Sequence, residues 1–427
     1  MNISRACALG ACALILLAGI GAAAQGAERS DLTLGDAVEL ALKNNPELLA
    51  SRYELTAAQA RSLQAGLRPN PELSLELENF AGSGEARGTD ALETTLSLSQ
   101  VIELGDKRGL RRSLAEADGD LIAIEQRARQ LDVLAEVTRR FIDVAAAQER
   151  ARFAAESTQL SQKTLDTITA RVNAARAPLA EGSRARIGLT RAQIEERQTR
   201  SELQSARHAL AAQWGKAEPG FVAAKADLFA FAPVQALAAL LERIERNPDI
   251  TRFASEARLR DAELRLAQAQ SRPNLALSLG VRQIAASNDT ALVAGFSMPL
   301  QVFDRNQGGI REAHARRAQS DAQLQAALTR ARTTLFALYQ EMTAARERTE
   351  ALRSDALPQA QTALEQTQSG YERGRFSLLE LLTAQQELLE LRSAAIDAAA
   401  DYHRLLAELE RVTSEPLTTN DLEASLP

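Results

Sequence analysis

The sequence predicts a mainly α protein with a small β part: a long coiled-coil helical barrel plus four strands per chain that contribute to a shared twelve-stranded trimeric β-barrel. Three observations carry this reading. Of the 427 residues, 45% are hydrophobic but only 4% aromatic, so the apolar content is mostly Ala and Leu, as in long helices. The two halves echo each other: Asn45-Pro46-Glu47 is answered by Asn247-Pro248-Asp249, and Arg68-Pro69-Asn70 by Arg272-Pro273-Asn274. After each Arg-Pro-Asn come two short runs in which apolar and polar residues alternate, the period of a strand with one apolar and one wet face.

Taken in order, residues 1–24 carry one positive charge at Arg5, an apolar run over 6–20 and the tripeptide Ala22-Ala23-Ala24. That is the layout of a secretory signal cut before Gln25. Leu9-Gly10-Ala11-Cys12 resembles a lipid-attachment box, but cutting there leaves too short an apolar run. Both cysteines, Cys7 and Cys12, fall inside the leader, so the mature chain has no thiol chemistry. The expected plan is then a first helix-hairpin-helix repeat over 25–213, a linker over 214–232, a second repeat over 233–412 and a polar tail over 413–427. Gly215, Pro219, Gly220 and Pro233 interrupt helical periodicity at the join.

Within the first repeat a helix is expected over about 109–176, with Leu121, Ile124, Ala128, Leu131, Ala135, Thr138, Ile142 and Ala145 on one heptad seam. At 1.5 Å per residue it is about 100 Å long. The second repeat carries its counterpart over 310–370, with Pro358 as a kink or break. The last helix has two adjacent stripes, one through Leu378, Leu382, Leu389 and Ile396, the other through Leu381, Leu388, Leu391, Ala395 and Tyr402. Two stripes let one helix meet two neighbours, as a closed ring of helices requires.

Strands are expected over 73–80, 91–101, 275–284 and 291–302, as two hairpins. Each is about the 9–11 residues that cross a bilayer when tilted. Four strands do not close a barrel, and an open edge is not tolerated in lipid. Three copies would give twelve strands and two only eight, which leaves little pore. An obligate homotrimer follows, standing in outer membrane lipid.

Several function classes are excluded by composition. A net charge of −6 gives no electrostatic footprint for nucleic acid. His208, His314 and His403 are scattered, and Met298 and Met342 are far apart, so no metal site is expected. No phosphate loop or nucleophile arrangement is present, so no enzyme and no cofactor is expected.

At this point the chain resembles the TolC-type outer-membrane efflux proteins over its whole mature length. The likeness rests on the doubled plan, the Asn-Pro and Arg-Pro-Asn pairs, and Tyr371-Glu372-Arg373-Gly374 followed by Ser377-Leu378-Leu379-Glu380-Leu381-Leu382. Pro69-Asn70-Pro71-Glu72-Leu73 and the run Leu98-Ser99-Gln100-Val101-Ile102-Glu103-Leu104-Gly105-Asp106-Lys107-Arg108 resemble the cobalt-zinc-cadmium resistance (CzcC-like) branch, with Asp106 where that branch commonly has Gly. The resemblance implies a passive exit duct for heavy-metal cations, extending into the periplasm and coupled through a periplasmic adaptor protein to an inner-membrane resistance-nodulation-division pump. A channel for drugs or small organic compounds is the alternative, and a soluble periplasmic coiled-coil adaptor the rival of another class.

Two helix breaks would form the periplasmic tips. Ala177-Pro178-Leu179 in the first, and Gly374, Phe376, Ser377 and Leu378 in the second, are the candidate adaptor contacts, since exposed apolar tips want a partner. Gly374 suits a helix end needing positive φ, and Ser377 suits a cap. By resemblance Glu380 lines the aperture, with Glu181 its first-repeat counterpart and Thr383 where some relatives have a second acid. Arg375, with Arg171, Arg176 and Arg373, would pair with Glu181 or Glu380 to hold the aperture shut. The alternative for Glu380 is a first-turn acid favouring the helix dipole. Asp106, Lys107 and Arg108, like Asp304, Arg305 and Asn306, are expected to fix the bend between strand and helix.

Overall fold

The computed structural model describes residues 31–84 and 87–415. The leader expected over 1–24 and most of the tail expected over 413–427 lie outside the described residues. The elements run α1 Leu34–Asn44, α2 Pro46–Ala65, β1 Glu72–Glu78, β2 Glu93–Glu103, α3 Lys107–Asn173, α4 Leu179–Ala212, α5 Leu237–Arg243, α6 Pro248–Gln270, β3 Asn274–Ile284, β4 Asp289–Ser297, α7 Gln307–Ala351, α8 Leu357–Glu372 and α9 Leu378–Thr413.

Each Asn-Pro pair starts a helix and ties it down. Asn45 accepts from the backbone N–H of Glu47 and Leu48 and donates to the Gln213 carbonyl at 2.8 Å. Asn247 accepts from Asp249 N–H and donates to the Arg411 and Val412 carbonyls. Pro46 and Pro248 occupy the first helical position, where a missing N–H costs nothing. One side chain thus caps a helix and fastens it to the end of α4 or α9.

All four strands form one antiparallel sheet in the order β1-β2-β3-β4. The two expected hairpins are joined through β2 and β3, with Leu96 opposite Val281 and Leu98 opposite Leu279. One face carries Leu73, Leu75, Leu96, Leu98, Leu279, Val281, Leu292 and Phe296, all exposed, Leu292 at 90% and Phe296 at 78%. The other carries Ser74, Glu76, Thr95, Ser97, Ser278 and Arg282, with Arg282 bridging Glu78 and Glu93 at 3.1 and 2.7 Å. Strand β1 stops at Glu78 because Asn79 takes a left-handed φ of 58°. Strand β4 ends at Ser297 rather than 302, since Pro299 has no N–H to extend the ladder.

The strand-to-helix bends are built alike in both halves. Asp106 and Asn306 both have φ 56° and precede α3 and α7. A Cβ on Gly109 would lie 2.5 Å from the Asp106 carboxylate, and one on Gly309 would collide with the Asn306 amide. A side chain at either position would have to displace the residue that precedes the helix. Lys107 Nζ reaches across to the Arg272 carbonyl and Asn274 Oδ1, each at 2.6 Å, and Arg111 pairs with Glu103. Of the residues expected to fix the bend, Lys107 and Asn306 are tied across it, Asn306 through its amide to the Ala267 carbonyl and Gln270.

Helix α3 has 67 residues and meets α1, α2, α4, α6 and α9. Its mid-section is therefore buried on every side, through Val144, Ala145, Ala146 and Ala147. The expected single seam holds only in part: Ala135, Ile142 and Ala145 are buried, while Leu121, Ile124, Ala128 and Leu131 are half-buried. Between α3 and α9 runs a ladder of ion pairs: Asp132 with Arg411, Arg139 with Glu408, Asp143 with Arg404, Arg150 with Asp397 and Glu156 with Arg392, spanning 2.5 to 3.0 Å. The expected break at Pro358 takes a specific form. A π turn, Leu352–Ala356, precedes it, so the missing proline N–H falls where the ladder is already widened. Helix runs on through α8.

Between the repeats the chain crosses the middle of the molecule. Trp214 and Phe221 join one core with Val137, Phe141 and Leu210. Farther on, Phe231 packs edge-on to Tyr402 at 4.6 Å. No helix among the described residues is long and apolar enough to cross a membrane.

Candidate functional site at the helical tips

Helices α3 and α8 both end in the same six-residue device. At the first tip Ala175 has φ 53°; its N–H donates to Val172 O at 3.0 Å and the next, from Arg176, to Arg171 O at 2.8 Å. At the second tip Gly374 has φ 73°, its N–H donating to Tyr371 O at 2.9 Å and Arg375 N–H to Gly370 O at 2.8 Å. This 6→1 and 5→2 pair is the Schellman arrangement, which satisfies the last helical carbonyls. Gly374 behaves as its sequence suggests. Ala175 was not legible as a left-handed residue, and only its equivalence to Gly374 could have revealed it.

The restart differs between tips. Pro178 precedes α4 without a side-chain cap. Ser377 caps α9 in a capping box: its hydroxyl accepts from Glu380 N–H, while Glu380 Oε2 accepts from Ser377 N–H at 2.7 Å and from the Ser377 hydroxyl at 2.8 Å. Those donors, the backbone N–H first, hold the Glu380 carboxyl below its usual range. The geometry thus shows Glu380 capping a helix start, with its side chain still exposed. Thr383, one turn on, is exposed.

The two tips meet through a contact absent from the sequence reading. Tyr371 Oη donates to Glu181 Oε2 at 2.7 Å, joining the end of α8 to the start of α4. Arg171 from α3 lies 4.6 Å above the Tyr371 ring and donates to the Tyr371 and Glu372 carbonyls. Tyr371 is only 3% exposed. Burial first, then the Glu181 carboxylate, pushes its hydroxyl up to about 12.

The arginines act differently from expectation. Among the described residues neither Glu181 nor Glu380 has an ion pair with Arg171, Arg176, Arg373 or Arg375; Arg171 serves carbonyls and a ring, and Arg373 donates to Ser369 Oγ. A carboxylate already satisfied by a tyrosine or by its own cap leaves less to gain from an exposed guanidinium.

Of the apolar tip residues, Leu179 and Leu379 are exposed at 81% and 64%, and Phe376 at 43%. Ala177 is half-buried; Pro178, Gly374 and Ser377 are exposed. Leu378 is the exception at 2%: it belongs to the core below the tip with Ile168, Ala185, Leu364 and Tyr371. Phe376 folds back over Gly370, where a Cβ would collide with its ring. Among the described residues no group of three or more His, Cys, Asp or Glu is placed to hold a metal ion.

A four-stranded sheet with one exposed apolar face is thus continued by long paired helices to interlocked tips. The family model for outer membrane efflux proteins matches residues 37–216 and 240–415, and the chain belongs to that family. It is a transport protein of the outer membrane, reaching into the periplasm, and not an enzyme. The chain is 30% identical over 383 residues to the cobalt-zinc-cadmium resistance protein CzcC of Cupriavidus metallidurans, covering 89% of this chain and 90% of that one. It is 25% identical to the nickel-cobalt-cadmium resistance protein NccC of Alcaligenes xylosoxydans xylosoxydans over 65% of this chain and 63% of that one. The same fold occurs in CusC, with a TM-score of 0.75 at 17% identity over 90% and 92% of the two chains. A membrane protein from Pseudomonas aeruginosa gives 0.74 at 20% identity over 89% and 93%.

Proposed function

We propose that this chain is the outer-membrane channel of a tripartite efflux system that expels heavy-metal cations of the cobalt, zinc and cadmium kind. The likeness to the cobalt-zinc-cadmium resistance protein over nine tenths of both chains carries the metal assignment. In this reading the leader is cleaved after residue 24, and the repeats over 25–213 and 233–412 supply equivalent parts of one barrel. Three copies close that barrel, because β1 and β4 leave two open edges and lipid offers no partner for an edge. The duct supplies no energy. A periplasmic adaptor couples it to an inner-membrane resistance-nodulation-division pump.

The tips form the gate in this reading. Tyr371 latches α8 to α4 through Glu181 and to α3 through Arg171, and Glu380, Thr383 and Arg375 border the aperture, where three ionised copies of Glu380 attract cations. Leu179, Phe376 and Leu379, with Ala177, Pro178, Gly374 and Ser377 around them, present the adaptor-facing surface, which Leu378 supports from beneath. The test compares zinc, cobalt and cadmium tolerance with and without the gene. Lower tolerance without it is the expected result; unchanged tolerance with altered drug sensitivity overturns the metal assignment.

A further inference from the structure

The open edges of the sheet are the largest unpartnered feature of the described chain, and the repeat says what should cover them. Arg68-Pro69-Asn70 and Arg272-Pro273-Asn274 make Leu73 in β1 equivalent to Leu277 in β3. Within each half Leu73 faces Leu98 and Leu277 faces Phe296, so Leu98 in β2 is equivalent to Phe296 in β4. The seam inside the chain, β2 against β3, then becomes a template for the seam between copies, β4 against β1 of the next.

We infer that β4 pairs with β1 of a second copy in one register: Phe296 opposite Leu75, Gly295 opposite Glu76 and Ser297 opposite Ser74. The counterparts inside the chain are Leu98 with Leu279, Ser97 with Gly280 and Ser99 with Ser278. The inference rests on the trimeric channel proposed above and adds its residue-level joint. Chemistry agrees with it: Phe296 and Leu75 both lie on the apolar face, and Ser297 and Ser74 both on the polar one. A slip of one residue would put apolar against polar. A slip of two keeps the faces, and against it stands the repeat equivalence, which sets Phe296 opposite Leu75. At Ser97 and Gly280 a Cβ on the glycine would lie 2.8 Å from the serine Cβ, and the inferred seam likewise sets a glycine, Gly295, against a residue with a side chain, Glu76.

Disulfide trapping tests the register. Cys7 and Cys12 are the only cysteines and sit in the expected leader, so single-cysteine variants serve as blanks. Strands β1 and β4 of one copy lie three strand spacings apart, about 14 Å, too far for a bridge within the chain. The Ser74→Cys, Ser297→Cys protein should give a covalent trimer on non-reducing gels. Its yield should exceed by about tenfold that of the shifted pairs, Glu76→Cys or Glu72→Cys with Ser297→Cys, because bridging demands close Cβ atoms. A shifted pair that dominates overturns the register. No bridge in any pair, from a particle whose native mass is trimeric, overturns edge pairing. A monomeric particle overturns the channel assembly itself, and this joint with it.

Discussion

Tyr371 combines two constraints at one atom: its ring is buried under Arg171, and its hydroxyl is spent on Glu181. Tyr371→Phe removes only the hydroxyl and should cost about 1 kcal/mol of stability. If the latch holds the tip, the variant should raise single-channel conductance in planar bilayers, and unchanged conductance would return Tyr371 to a purely structural role. The pH dependence has a definite sign. Because its pKa is raised, the neutral hydroxyl contributes fully below its ordinary value of 10.0 and is lost as pH rises through about 12. The tyrosinate absorbance difference between the native protein and Tyr371→Phe should therefore titrate near 12; a midpoint at 10.0 would refute the buried bond. Ala175 offers the reverse experiment. Its left-handed backbone strains an alanine, so Ala175→Gly should stabilise by about 1 kcal/mol in urea unfolding.

Among the elements, α9 tests what exposure means. Leu378→Ala opens a cavity in the core below the tip and should cost about 2–5 kcal/mol. Leu379→Ala, one residue on, should leave stability within about 0.5 kcal/mol while weakening capture by the adaptor. Equal losses of stability would show that Leu379 is covered too. Much of this architecture was readable in advance. Asn45-Pro46 and Asn247-Pro248 announced the doubled plan, alternation announced the strands, and Gly374 announced a helix end. What escaped was of two kinds. Ala175 carries no local signal for a left-handed residue. Tyr371 and Glu181 lie 190 positions apart, and no pattern of period two or 3.6 connects them. Likewise, heptad spacing marked one face of α3, but only tertiary packing shows that five helices surround it.

At the scale of the whole molecule, strength is distributed unevenly along the duct. The ladder between α3 and α9 ends at Glu156 and Arg392; closer to the tip the polar contact across that seam is a neutral bond, Gln385 to Thr164 at 2.9 Å, while Arg171 turns to Tyr371 of α8 instead. The ladder's pairs are partly exposed, so each contributes only about 0.2–1 kcal/mol and is screened by salt. Hydrogen exchange should therefore show early opening confined to the tip side of Thr164 and Gln385, and uniform protection along both helices would contradict this.

The π turn before Pro358 has a mechanical meaning of its own. From Asp106 to Ala175 the first arm has one residue more than the second has from Asn306 to Gly374, and the wide turn takes up further length in the second. A wide turn advances the helix less per residue than an α turn does, so the second arm spans less axial distance than the first between equivalent fittings, like two struts cut to different lengths.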